Sequence, residues 1–156
     1  MSHKIPLMVA AAVAALLVLT AVQAQGSHPR ADGPYPRVDV STTFDAAGET
    51  SASGTIRVCN TSEDPISGDP IAVTIESIDD NLYYKQGPGS WEWLVKATVN
   101  DLDAGAVILA GDCVDGSWEA TSYTLPDGTI NIRNEVQVKL VEREMVFFGR
   151  DCFDFR

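Results

Sequence analysis

The sequence predicts an all-β protein, folded as an antiparallel β-sandwich of about seven to nine strands. Short runs in which apolar and polar residues alternate recur along the chain, as expected for strands with one buried face. Turn-forming residues rich in Gly, Pro and Asp separate these runs. A parallel sheet would require crossover helices, and no convincing amphipathic helix follows the N-terminal segment.

The N-terminal segment has the three-part organisation of a secretory signal peptide. His3 and Lys4 form a cationic start, an apolar run extends from Leu7 to Val22, and small residues at Val22 and Ala24 mark a cleavage site. The run is shorter than the ~20 residues that a spanning helix needs, so cleavage is favoured over a retained membrane anchor. We expect residues 1–24 to be a signal peptide and the mature protein to be secreted or displayed on the cell surface.

The first half of the mature chain contains a tail and three predicted strands. Residues 25–36 are rich in Gly and Pro and predict a flexible tail, followed by a single domain over residues 37–156. Weak alternation marks the strands Arg37–Phe44 and Thr55–Cys59. The third strand is clearer, because Ile71, Val73 and Ile75 share one face and Thr74 and Glu76 the other.

The second half contains the two longest alternating runs. In the run Trp91–Val99, one face is predicted to be apolar and the other polar. That apolar face consists of Trp91, Trp93, Val95, Ala97 and Val99. The run Ile130–Val141 follows the same rule, with Ile130, Ile132, Val136, Val138 and Leu140 on its apolar face. Ala106–Leu109 and Trp118–Leu125 are weaker strand candidates.

The C-terminal segment Met145–Arg156 is unusually apolar for the end of an exported chain. It contains four Phe residues and Cys152, and such apolar content must be buried against something. An extra strand or packed return on its own domain is favoured. The alternative is a strand exchanged with a neighbouring subunit, which would make a homo-oligomer and place Cys152 for an intermolecular disulfide.

Two stretches are similar to the immunoglobulin-like repeat domains of bacterial and archaeal surface proteins. The stretch GTIRVCNTSEDPISGDPIAVTIESI (residues 54–78) resembles the first half of that repeat, and residues 99–140 resemble the second. Ser62 stands where the family usually has Gly, and Ala104 where it usually has Pro. The resemblance implies an immunoglobulin-like sandwich that serves as an extracellular structural or adhesive module without catalytic residues.

The charge and the residue types limit the partners and the chemistry. The formal net charge is −11, with 22 acidic against 11 basic residues, which disfavours nucleic acid and anionic membranes as partners. The mature chain would keep His28 alone among histidines, in the predicted tail, and no G-x-S-x-G motif occurs. We therefore predict no enzyme activity, and the enzymatic alternative is a small hydrolase that uses loop carboxylates.

Three cysteines are compatible with one disulfide in an oxidising compartment. Each of Cys59 and Cys113 lies beside a predicted turn in a different half of the domain, so this pair is ranked first. A bond between Cys59 and Cys113 would close a loop of more than fifty residues. In the chain-entropy model, closing a loop of this length stabilises the folded protein by about 3–4 kcal/mol. The pair Cys113 and Cys152 is the alternative; otherwise Cys152 is free or bonded to another molecule.

Two further sites are candidates. Asp101 and Asp103, and beyond them Asp112 and Asp115, provide oxygen ligands of the kind that Ca²⁺ prefers, although solvated turn residues are the more frequent outcome. Asn60-Thr61-Ser62 matches the N-glycosylation rule, and the favoured alternative is an Asx or Ser/Thr turn.

These observations predict a secreted or cell-surface structural or adhesive module, bound to an extracellular protein or glycan and lacking a cofactor unless Ca²⁺ binds. The alternatives are a fibre subunit that assembles by strand exchange, and a small calcium-dependent carbohydrate-binding or carbohydrate-active protein.

Overall fold

The computed structural model describes residues 36–64 and 67–155. The predicted signal peptide and most of the predicted tail lie outside the described residues. Within the described residues, nine strands form two antiparallel sheets and no helix occurs, which confirms the predicted all-β sandwich. No described segment is a helix long and apolar enough to cross a membrane. The strands are β1 (Val38–Ala47), β2 (Ser51–Asn60), β3 (Val73–Gln86), β4 (Glu92–Lys96), β5 (Thr98–Asn100), β6 (Val107–Ile108), β7 (Cys113–Thr121), β8 (Thr129–Leu140) and β9 (Arg143–Asp154).

The two sheets differ in strand order. The first has the order β1-β2-β7-β5, and the second has β4-β3-β8-β9, with β6 paired to the start of β3. Alternate residues of each strand point between the sheets, where the largest fully buried side chains include Trp118 and the aliphatic residues of β2, β3 and β8. The predicted alternation of β8 is confirmed, since Ile132, Val136, Val138 and Leu140 are all buried.

The two long edges of the sandwich are unlike each other. Along one edge β1 packs tightly against β9: a Cβ added to Gly149 would lie 2.9 Å from the carbonyl oxygen of Val40, so only Gly permits this approach. The Phe44 backbone N–H donates to Asp151 Oδ2 across the same edge. Along the other edge, the short strands β4 and β5 follow one another directly and belong to different sheets. The sandwich is therefore closed on one side and open on the other.

The predicted strand Trp91–Val99 is wrong in two respects. It is two strands, β4 and β5, because the chain leaves one sheet and enters the other at Ala97, whose N–H donates to the Asp80 carbonyl oxygen. A bulge in β4 also reverses its alternation: Val95 pairs with Leu82, but Trp93 pairs with the next residue, Tyr83. Trp93 therefore lies on the outer face rather than in the core.

The strand predicted near Ile71–Ile75 is much longer in the structure, where β3 begins at Val73 and continues to Gln86. Its register shifts between Ile75 and Ser77, and this bulge interrupts the period of two. The favoured prediction for the C-terminal segment is confirmed, because β9 pairs with β8 of its own domain over nearly the whole length of both strands.

Candidate functional site

The outer face of the sheet β4-β3-β8-β9 carries aromatic and cationic side chains together. Register places Tyr83 of β3 beside Arg133 of β8 and beside Trp93 of β4. Arg133 in turn is beside Cys152 of β9. We call this surface the aromatic face; its members are Tyr83, Lys85, Trp91, Trp93, Arg133 and Arg150.

Trp93 is the most exposed aromatic residue of this face, with 59% of its surface accessible. The bulge in β4 turns its side chain outward, and its indole N–H donates to Asn81 Oδ1 at 3.2 Å. A large apolar ring held in this way on a hydrogen-bonded sheet is costly to leave in water and is preorganised for contact. Trp93 is therefore the most exposed aromatic side chain of the aromatic face and its first candidate for contact with a partner.

Arg133 lies against two aromatic rings at the centre of the face. Its guanidinium carbon is 5.0 Å from the centre of the Tyr83 ring and 4.7 Å from the centre of the Trp91 ring. Lys85 Nζ is 6.0 Å from the Trp91 ring. Cation–π contacts of this length stabilise the arrangement, by about 1 kcal/mol each where they are partly desolvated. The loop residue Trp91 is thereby fixed to the sheet.

Glu135 provides the acidic partner of this cluster and is nearly buried. Its Oε2 accepts from Arg150 Nε at 2.7 Å and lies 3.5 Å from an Arg133 Nη atom. Gln137 Nε2 donates to the other carboxyl oxygen. Two guanidinium groups thus share one carboxylate, so the cluster keeps excess positive charge on a chain whose net charge is −11.

The outer face of the other sheet has the opposite character. It presents hydroxyl and acidic groups, among them Thr43 and Thr55, whose hydroxyl oxygens are 2.7 Å apart, and the pair Arg57 with Asp115 at 3.0 Å. None of the large apolar side chains exposed among the described residues belongs to β1, β2, β5 or β7. A surface of this kind is well solvated, so the aromatic face is the stronger candidate for contact with a partner.

Cys59 and Cys113 form a disulfide, the pair ranked first from the sequence. They are directly opposite each other in the β2–β7 pairing, and their Cα atoms are 4.0 Å apart. Cys59 is half-buried and Cys113 is exposed, so neither side chain is in the core. Cys152 is free and exposed on the outer side of β9.

Asn60 is 1% exposed and forms a buried turn. Its side-chain amide donates to the carbonyl oxygens of Ile71 at 2.7 Å and Ile108 at 2.9 Å, while its Oδ1 accepts from the Ser62 N–H at 2.9 Å. The last bond is the Asx turn that the sequence favoured over a glycan site. Both N–H groups of the amide are engaged, so in the folded state Asn60 joins the end of β2 to β6 and to the segment at Ile71, and it is not presented to solvent.

The four aspartates considered as calcium ligands occupy separate positions. Asp101, with φ of 63°, and Asp103 lie in the turn after β5, whereas Asp112 precedes β7 and Asp115 on β7 pairs with Arg57. Across residues 36–64 and 67–155, no group of three or more His, Cys, Asp or Glu side chains is arranged to hold a metal ion.

A buried polar chain crosses the core beneath the aromatic face. Asp80 is fully buried, and its Oδ1 accepts from Asn134 Nδ2. Asn134 Oδ1 is 2.6 Å from the Thr42 hydroxyl of the opposite sheet. Burial raises the pKa of Asp80 to about 7, against the hydrogen bond from Asn134, which lowers it.

The sequence did not indicate most residues of this candidate site. Trp93 was placed on the wrong face because a bulge has no signature in an alternating run, and Asp80 was not assigned to any strand. One signal was available for Arg133: the polar side of the predicted strand Ile130–Val141 already carried it together with Glu135. No protein-family model matches the chain, and no curated protein is detectably similar to it.

Proposed function

We propose that this protein is an exported, non-catalytic adhesive module whose recognition surface is the aromatic face. The exposure of Trp93 is the observation that carries the proposal. A side chain of this size, 59% accessible and fixed by Asn81, exposes apolar area that a partner can bury. Tryptophan and arginine are the residue types that contribute most at protein interfaces.

The arrangement around Trp93 favours binding over catalysis. Tyr83, Trp91 and Arg133 stack on a sheet whose strands are held by ladder hydrogen bonds, so the surface is rigid. Rigid aromatic groups lose little conformational freedom when a partner binds. The exposed apolar side chains of β9, Val146 and Phe148, extend the surface beyond the cluster.

Export is part of the proposal, and the disulfide supports it. Disulfides persist in oxidising compartments and are rare where the cell keeps thiols reduced. The Cys59–Cys113 bond therefore agrees with the predicted signal peptide. The resemblance of residues 54–78 and 99–140 to surface-protein repeats points in the same direction.

The test is retention of the purified protein on immobilised surfaces: neutral polysaccharides, acidic polysaccharides and extracellular matrix proteins. We expect retention on one of these classes, and a loss of at least tenfold for Trp93→Ala. Thr43→Ala is the matched control, since it truncates an exposed side chain on the other sheet. Equal retention of Trp93→Ala and the unchanged protein, or no retention on any surface, contradicts the proposal.

A further inference from the structure

A cleft opens at the open edge of the sandwich, where the chain passes from β4 to β5. Its volume is about 660 Å³, and Ile78, Val99 and Leu102 give it apolar walls. Glu76 and Asp103, both exposed, add carboxyl groups to its lining. Apolar walls with a few convergent polar groups are typical of sites for small molecules.

Asp80 lines the same cleft and has an unsatisfied oxygen. Its Oδ1 accepts from Asn134, and the backbone N–H of Asn81 lies close enough to the carboxyl group to lower its pKa. The buried Oδ2 still receives no hydrogen bond of normal geometry from any described residue. A buried carboxylate oxygen without a donor is destabilising by about 1–3 kcal/mol or more. A cationic donor that reaches Oδ2 would remove this cost.

No cationic side chain within residues 36–64 and 67–155 supplies that donor. Lys96, which also lines the cleft, has its Nζ 2.6 Å from Asp79 Oδ1. Lys139 has its Nζ 2.8 Å from Glu76. The side chains of Asp80 and Asp103 make no ion pair with a residue in the described ranges. Two carboxyl groups of the cleft are thus left for a cation from outside.

The chemistry of the cleft selects an organic cation. Ca²⁺ takes about six to eight oxygen ligands, and the part of the chain that the structure describes holds no three-residue group for a metal. A primary ammonium has three N–H donors and can be held by one carboxylate, while its alkyl chain contacts apolar walls.

We propose that this cleft binds a small organic cation, with a primary ammonium at Asp80 Oδ2 and a short alkyl chain against Ile78, Val99 and Leu102. Asp80 is shielded from bulk water in the unliganded protein, so access requires a small outward movement at the link between β4 and β5. Ala97 in that link is held to β3 by its N–H bond to the Asp80 carbonyl oxygen. This site is distinct from the aromatic face and does not depend on the function proposed for it.

The ammonium and the proton compete for Asp80, whose pKa burial raises to about 7. The charged groups that face the cleft are Glu76, Lys96 and Asp103, and the neighbours of Asp80 in the core, Thr42 and Asn134, are neutral. Between about pH 8 and about pH 5.5 the ionised fraction of a group with this pKa falls roughly 30-fold. The affinity of the cleft for the organic ammonium should fall by a similar factor over this pH range.

The experiment is a titration of the isotope-labelled protein with n-butylammonium chloride, followed by backbone amide NMR, with n-butanol as the neutral control. At about pH 8 we expect saturable shifts at Ala97, Val99 and Leu102, and none with n-butanol. Binding should be roughly 30-fold weaker at about pH 5.5. Asp80→Asn should abolish it, Asp103→Asn should weaken it a few-fold, and Thr43→Ala should leave it unchanged.

The proposal is overturned if the folded protein shows no saturable binding at about pH 8. It is also overturned if affinity is independent of pH, or if Asp80→Asn binds as well as the unchanged protein. Thermal unfolding shows whether Asp80→Asn is folded. If that variant unfolds, the pH dependence and Asp103→Asn decide the outcome.

Discussion

Asp80 makes the core of this protein sensitive to protons. Its pKa is raised in the folded state, so the folded protein binds the proton more tightly than the unfolded chain does. The resulting stabilisation is fully present below about pH 4 and is lost as the pH rises through about 7. A shift from 3.8 to about 7 corresponds to about 4 kcal/mol.

The first prediction is that Asp80→Asn flattens this dependence. Asparagine is neutral at every pH, so the variant should lose less free energy of unfolding than the unchanged protein between about pH 4 and pH 8. Urea denaturation across this range measures the difference. Asp39→Asn, an exposed change on the other sheet, is the control. Parallel pH profiles for Asp80→Asn and the unchanged protein would show that Asp80 is not the titrating group.

Asn60 supports the second prediction. Replacement by Ala removes two buried hydrogen bonds and one part-buried hydrogen bond, and leaves the carbonyl oxygens of Ile71 and Ile108 without these donors. We expect Asn60→Ala to lower the free energy of unfolding by about 3 kcal/mol. Asn100→Ala, on an exposed strand position, should change it by less than about 0.5 kcal/mol. Similar losses for the two variants would refute the structural role of Asn60.

At the scale of the strand, Gly54 determines how closely β1 and β2 approach. A Cβ at Gly54 would lie 1.7 Å from the Thr43 carbonyl oxygen and 2.6 Å from Trp118 Nε1. The Trp118 indole donates to that same oxygen, and its ring meets Phe44 edge to face at 5.1 Å. Because Gly54 has no side chain, the indole of Trp118 has room to reach the Thr43 carbonyl oxygen.

The third prediction compares two glycines of the same hairpin. Gly54→Ala forces backbone and indole apart and should cost about 3 kcal/mol or more. At Gly48 an added Cβ would be 3.6 Å from its nearest neighbour, the Ser51 carbonyl oxygen, so Gly48→Ala should be tolerated. Thermal unfolding measures both. Equal melting temperatures for the two variants would contradict the close approach at Gly54.

Strand β9 supports the fourth prediction. Its core-facing Phe147 and Phe153 lie opposite Val138 and Ile132 of β8. Removal of residues 145–156 should expose β8 along its length and abolish cooperative unfolding, as measured by circular dichroism. A truncated chain that stays folded and monomeric in size-exclusion chromatography would show that β9 is not needed by its own domain.

At the scale of the whole molecule, the disulfide joins β2 and β7, the two central strands of the first sheet. As the fifth prediction, Cys59→Ser with Cys113→Ser should lower the free energy of unfolding by about 3–4 kcal/mol, because the open chain has more unfolded conformations. Cys152→Ser is the matched control and should have little effect, since Cys152 is free and exposed. Urea denaturation without reductant measures both. An equal loss in the control would contradict this account.

Patterns that depend on neighbouring residues could be predicted from the sequence, and features that depend on partners distant in the chain could not. Alternation identified β8, and the motif Asn60-Thr61-Ser62 favoured the Asx turn, because both patterns are local. The bulges in β3 and β4 arise where two strands meet, so the sequence of one strand does not reveal them. This explains why Trp93 was assigned to the core and Asp80 to no element, although they dominate the two candidate sites.

The closed edge has a mechanical consequence. Pro36 accepts a hydrogen bond from Arg143 at the start of β9, and Phe44 contacts Phe153 near its end, so β1 and β9 run in the same direction. The chain therefore enters and leaves the sandwich at opposite ends. Tension applied between Pro36 and Phe155 acts along both strands, and their ladder bonds to β2 and β8 lie across that direction. Such a load shears many ladder hydrogen bonds together instead of opening them one at a time.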